Sequence, residues 1–458
     1  MSAIYLLSLV AIAVVGYLFG RMRGSSFYSS GVLPHSLPSY HGWFVAISAA
    51  LPMLLLFIIW SIAAPKFIEA RGLAELPAAM QPTDDLSRAT VARELQNAVT
   101  GGGLTEQASP EIRHAAETMQ WLSSASGWAL LAGGLAVGAI GFWWATSQQR
   151  PQFRARNVVE RVVVWVLIAC SVVAVLTTLG IVFSVLFETL RFFSKYPWYD
   201  FLFGTQWSPQ IAMRADQVGQ SGAFGFLPLF VGTMLITVIA MLVAGPIGLF
   251  AAIYMAEYAS PRFRATAKPI LEILAGVPTV VFGFFAALTV APLIRDLGAA
   301  VGLSVASESA LAAGLVMGVM IIPFVSSLSD DVINAVPQSL RDGSYAMGAT
   351  RSETIRQVVL PAALSGIVSA MMLAISRAVG ETMIVVMAAG LAGNLTFNPL
   401  EAVTTITVQI KTLLVGDQEF DSVKTLSAFA LGFVLFFFTL TLNVIALRIV
   451  ERYREQYD

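Results

Sequence analysis

Arg377 and Glu381 carry opposite charges four residues apart inside the apolar stretch AISRAVGETMIVVMAAG. On a continuous helix that spacing places both on one face. A charge within a bilayer costs at least about 2.5 to 3.5 kcal/mol on insertion scales, so two of them require a reason, and pairing lowers the cost. Arg377 offers a planar fork suited to the oxygens of an oxyanion. Glu381 would orient that fork or compete for it, keeping a bound anion weakly enough held to leave. A buried ion pair that only fixes helix packing is the alternative reading. Other chemistry is sparse. Cys170 is the single cysteine and His35, His41 and His114 are the only histidines, too few for a zinc, haem or iron–sulfur site. Cys170 lies in an apolar run and is expected to face lipid or pack. No nucleophile, base and metal set stands at usable spacing, so neither catalytic residues nor cofactors are expected. There is no G-x-x-x-x-G-K-[ST] sequence and no Gly-Lys pair, so the chain has no P-loop to cradle nucleotide phosphates.

A second constellation is the polar segment 337–361, PQSLRDGSYAMGATRSETIRQVVLP. Ser339 can cap a first short helix, and Gly348 supplies a permissive break. Thr350 with Glu353 three residues later is a capping box that opens a second helix, expected to stop before Pro361. Ala346, Gly348 and Ala349 keep the corner slim, so that another protein's backbone could approach closely.

The elements that position these residues must be membrane helices. Of 458 residues, 57% are apolar and only 12% charged, too little polar surface to solvate a globule of this size. Spanning a hydrocarbon core takes about 20 apolar residues in a helix. Such runs are expected at about 2–20, 41–64, 124–146, 162–187, 225–257, 269–294, 308–336, 362–390 and 425–449. The short alternating segments of a β-barrel are not found. Arg21 and Arg23, Arg150 to Arg161, Arg262 to Lys268, Arg341 to Arg356 and Arg448 to Arg454 cluster in alternate loops. The positive-inside rule therefore expects these loops and the C-terminus in the cytoplasm, with the N-terminus outside. The first segment reads as an uncleaved anchor, because its positive charges follow the apolar run. The long polar loop 65–123 is expected outside as a helical hairpin. Val91, Leu95 and Val99 would line one arm, Gly101 to Gly103 the break, and Ser109-Pro110 would start an arm with Ile112, Ala115, Met119 and Leu122 on one face. It reads as a packed connector, with partner docking as the alternative. The basic stretch from Gln148 to Arg161 marks a boundary between residues 1–155, with three membrane helices, and residues 156–458, with six. Pro246, Pro278 and Pro323 each fall in an apolar run and are expected to bend or break a helix.

Segment 337–361 resembles the cytoplasmic loop of ABC importer permeases, whose pattern is Glu-Ala-Ala, three residues, Gly, nine residues, Ile, one residue, Leu-Pro. Asp342, Gly343 and Ser344 take the first three positions, Gly348 the glycine, Val358 the isoleucine, and Leu360-Pro361 close it. Arg-Ala-Val-Gly-Glu-Thr-Met at 377–383 resembles the phosphate permeases of the PstC type, as do LEILAGVPTVVFG at 271–283 and FLFGTQWSP at 201–209. The resemblance covers roughly residues 155–455, with residues 1–155 as an added region of the long members. It implies an all-α integral membrane protein with a six-helix type I importer core. Asp342, Gly343, Ala346, Gly348, Leu360 and Pro361 would couple to an ATPase, and Arg377 and Glu381 would serve phosphate passage. It further implies a PstA-like second permease subunit, PstB-like cytoplasmic ATPase subunits and a PstS-like extracytoplasmic phosphate-binding protein, in the lipid of a bacterial inner membrane, with no role for nucleic acid. Importers of sulfate or molybdate, and a phosphate-sensing scaffold, stand as alternatives.

Overall fold

The computed structural model describes residues 1–29, 34–76, 110–209, 222–415 and 421–453. Among them, nine helices are long and apolar enough to cross a membrane. The chain forms two compact units, Met1–Leu176 and Thr177–Asp458.

The first unit is built from α1 (Ser2–Ser29), α2 (Pro38–Ala74), α3 (Pro110–Gln148) and the first half of α4 (Ala155–Lys195). In lipid, helices gain little by hiding apolar surface from one another, so close backbone approach and internal hydrogen bonds hold them. A Cβ on Gly141 of α3 would lie 2.2 Å from the Ser48 carbonyl oxygen of α2, so only hydrogen fits there. The Tyr5 hydroxyl of α1 donates to the Met53 carbonyl at 2.8 Å. Helices α2 and α3 run well past the expected limits at 64 and 124, because Leu73 and Leu76 pack on Ala115, Ala116 and Met119. Part of the expected hairpin is thus the opening of α3, with Ala115 and Met119 buried. The arm with Val91, Leu95 and Val99, and Ser109, lie outside the described residues.

The second unit continues through α5 (Trp198–Phe203), the strand pair β1 (Trp207–Ser208) and β2 (Ala223–Phe224), and α6 (Leu227–Ile253), which ends in a π-turn at Tyr254–Tyr258. The strands are antiparallel, with Trp207 opposite Phe224. Next come α7 (Pro261–Ala275), α8 (Thr279–Phe285), a π-turn at Ala286–Val290, α9 (Ala291–Ala300) and α10 (Ala310–Ala335). They are followed by α11 (Gln338–Ala346), α12 (Arg351–Thr354), a π-turn at Ile355–Val359 and α13 (Leu360–Val379). The unit closes with α14 (Met383–Ala388), α15 (Ile406–Leu413) and α16 (Val423–Tyr453). Helix α10 is the hub, with Ala310, Ala313, Met317, Ile321 and Val325 buried in the largest core cluster. Gly314 and Gly318 of α10 meet Ile239 and Val243 of α6, so these two helices pack closely along their length.

Two expected spans are broken. The run 269–294 is not one helix: amphipathic α7 ends at Ala275, and Pro278 stands at the N-cap of α8 rather than inside a helix. Pro246 and Pro323 do sit within α6 and α10. The run 362–390 also divides, between Val379 and Met383. Two of the π-turns end two residues before prolines, Pro292 and Pro361. The Ala291 and Leu360 N–H groups reach back five residues to Ala286 and Ile355, so the turn widens where the proline has no N–H to give.

Candidate functional site

The 337–361 segment folds as a helical corner. Pro337 occupies the N-cap of α11, so Ser339 lies inside the helix and does not cap it; the fixed φ of proline already sets the entry. Gly348 has φ +85°, a left-handed conformation that favours glycine, and no neighbour lies within 4 Å of a Cβ placed there. Thr350 forms the capping box. Its backbone N–H donates to Glu353 Oε2 at 2.7 Å, and its hydroxyl accepts from the Glu353 N–H at 3.4 Å. The second helix does not stop before Pro361; it passes through the π-turn into α13, with Pro361 in the first turn. The inner side of the corner is anchored, with Val336, Val359 and Ala363 in a cluster shared with Ala252 and Ile333. The outer side is open. Asp342, Gly343, Ala346 and Gly348 are exposed, and Met347 between them is 89% exposed.

A charged network beneath this corner does not stand out in the sequence. Arg341, in α11, is buried. Its Nε donates to Glu257 Oε1 at 3.2 Å, its Nη2 to the Ile333 carbonyl at 2.7 Å and its Nη1 to the Val336 carbonyl at 2.7 Å. The two carbonyls belong to the last turn and C-cap of α10, beyond the helix's regular ladder, and the Ile333 carbonyl also accepts a long bond from the Val336 N–H at 3.4 Å. Beside it, the fully buried Asp330 carboxylate accepts from Arg264 Nη2 at 2.9 and 3.1 Å, from Lys268 Nζ at 2.9 Å and from Asn334 Nδ2 at 2.9 Å. Lys268 also donates to Asp331 at 2.8 Å; the hydrogen bonds to Asp331 and Asp330 raise its pKa above the ordinary lysine value. The available signal was the i, i+4 pair Arg264 and Lys268 on α7 facing the adjacent acids Asp330 and Asp331.

The predicted Arg377–Glu381 pair is not formed as the spacing suggests. Helix α13 ends at Val379, Gly380 follows, and Glu381 belongs to the next turn. The buried Glu381 carboxylate accepts from the Met383 N–H at 2.9 Å and the Ile384 N–H at 3.4 Å, so it caps α14, where a negative charge meets the positive end of the helix. Its carbonyl accepts from the Thr407 hydroxyl at 2.8 Å, tying the break to α15. Arg377 is exposed, with its guanidinium 5.9 Å from the centroid of Phe324 on α10. Arg377 in the last turn with Gly380 just beyond is a helix-stop signal that the apolar run on both sides obscured. An open guanidinium beside a broken helix can meet an anion; one closed onto Glu381 could not do so without first releasing it.

A multi-pass helical protein with an anchored helical corner, bare at its tip, and an exposed Arg377 beside a break in an apolar run has the features of a transport permease. Residues 244–455 match the family described as binding-protein-dependent transport system inner membrane component, and residues 6–177 match the family described as phosphate ATP-binding cassette transporter. The chain is 35% identical over 236 residues to the probable ABC transporter permease protein YqgH of Bacillus subtilis, covering 52% of this chain and 72% of that one. It is 34% identical over 277 residues to the phosphate transport system permease protein PstC 1 of Mycobacterium tuberculosis, covering 55% and 81%. The protein of that name, PstC, from Mesorhizobium japonicum is 32% identical over 241 residues, covering 49% and 72%. This chain belongs to the PstC-type permeases of the ABC importers, and it is a multi-pass inner-membrane protein.

Proposed function

We propose that this chain, with a PstA-like second permease subunit, forms the membrane pathway of an ATP-driven phosphate importer. Cytoplasmic PstB-like ATPases drive it, and a PstS-like binding protein delivers phosphate from outside. The observation that carries the coupling role is the corner at residues 342–348, bound down on its inner side by Arg341 and bare on its outer side. Its exposed apolar tip, Met347, suits insertion into a cleft of another protein. In this reading the corner, Arg264 and the C-terminus face the cytoplasm, and the N-terminus faces outward. Arg377 meets the phosphate, while Glu381 holds open the helix break beside it. Residues 1–155 are an added unit of the long permeases, and residues 156–458 are the permease core.

Arg377→Gln tests the passage. The variant should assemble with the other subunits and lose uptake of labelled phosphate; wild-type uptake would overturn the assignment. Competition with sulfate and molybdate in the same assay reads the selectivity. Gly348→Asp tests the coupling corner, with Gly348→Asn as a control that strains the backbone similarly but adds no charge. The aspartate should weaken co-purification of the ATPase or reduce transport per ATP more than the asparagine does, and equal behaviour of the two would refute a contact at this corner.

A further inference from the structure

The geometry points to Arg341 as the residue that converts movement of the coupling corner into movement of the pathway, acting as a positioning residue through α10. This inference rests on the coupling role proposed for residues 337–361. The guanidinium binds α11 to two other elements at once: to the end of α10 through the Ile333 and Val336 carbonyls, both at 2.7 Å, and to the π-turn that ends α6 through Glu257 at 3.2 Å. All six polar atoms involved belong to buried residues, so α11 cannot shift outward without stranding groups that have little water to turn to. Rigid attachment at the inner side contrasts with the bare tip at Met347.

Helix α10 links the corner to the pathway. Ile333, which Arg341 holds, and Phe324, which lies under Arg377, are nine residues apart on one helix, about 13 Å at the α-helical rise. The intervening turns are buried, at Val325, Ser326, Ser329 and Asp330, and α6 and α10 are packed along their length. A packed helix of this kind shifts as a body rather than deforming continuously. A pull on α11 therefore reaches the floor of Arg377 through one hydrogen-bonded anchor and one helix. The π-turn at Tyr254–Tyr258 puts Glu257 in reach of Arg341 while leaving a weaker point in α6, above which the helix can remain in place as its end moves.

The test uses the complete complex in nanodiscs and measures phosphate transported per ATP hydrolysed. Arg341→Met keeps most of the side-chain length and removes the fork, and Glu257→Gln keeps an acceptor and removes the charge. Both should retain ATPase association and ATP hydrolysis. Transport per ATP should fall about tenfold in Arg341→Met, within the range carried by a single coupling interaction, and less in Glu257→Gln. Arg341→Lys, which can reach one carbonyl but not fork to two, should restore part of the loss. A residue that only stabilised the fold would lower the yield of complex and leave the ratio unchanged, and an unchanged ratio overturns the proposal. If Arg341→Met complex cannot be recovered, Glu257→Gln decides by the same ratio. Met347→Asp, made in parallel, separates the two layers. Loss of ATPase association there with an unchanged ratio in the Arg341 and Glu257 variants refutes the Arg341 inference alone. Full association with Met347→Asp refutes the coupling corner itself.

Discussion

Removing the anion and removing the cations of the Asp330 cluster should have unequal costs. Asp330 is fully buried, whereas the Arg264 and Lys268 side chains remain 33% and 27% exposed. In Asp330→Asn the two cations lose charge-assisted hydrogen bonds, but their heads can turn to solvent, and the amide retains polar partners. The expected loss is about 2 kcal/mol, in the range for hydrogen bonds to charged groups. In the double variant Arg264→Met, Lys268→Met the buried carboxylate loses both cations and keeps the neutral Asn334 amide, and breaking a buried pair in this sense costs about 3 to 5 kcal/mol. The triple variant, which adds Asp330→Asn to that pair, should be milder than the double one, because no charge is left stranded. The assay is unfolding of the purified protein in mixed micelles by SDS titration, followed by circular dichroism, for all three variants. If the double variant is no less stable than Asp330→Asn, or the triple variant is no milder than the double, the burial asymmetry does not govern this cluster.

Two further outcomes follow from local geometry. Gly232→Ala would put a Cβ 2.2 Å from the Thr404 carbonyl oxygen, a backbone atom that cannot swing aside, so overpacking should lower stability by about 1 to 3 kcal/mol in the same titration. Thr350→Ala removes the capping box at α12 and should cost about 1 kcal/mol, a smaller drop than that of Gly232→Ala.

Much of the fold is visible in the residues taken alone. Runs of about 20 apolar residues mark helices because a bilayer leaves the backbone no other way to satisfy its hydrogen bonds. Gly348 and the Thr350 and Glu353 pair are equally legible, since φ and capping are local properties. The ends of α2 and α3 were not: they depend on Leu73 meeting Met119 from a distant part of the chain. Nor was the division of 362–390. Periodicity continues through Gly380, and it takes the Glu381 carboxylate over α14 and the Thr407 hydroxyl beneath its carbonyl to hold the break.

The sequence by itself determined that this is a membrane protein without a G-x-x-x-x-G-K-[ST] motif, and it located both the corner and the charges within the apolar run 362–390. Those properties depend on residue type and short spacing. Only the tertiary structure decided what the charges do. Arg377 and Glu381 part company because a helix end falls between them, and Arg341, which looks from the sequence like one more cytoplasmic cation, becomes the buried anchor of α11. Partner choice for a long side chain depends on which distant carbonyls and carboxylates the packed helices bring within reach, and no local pattern contains that information.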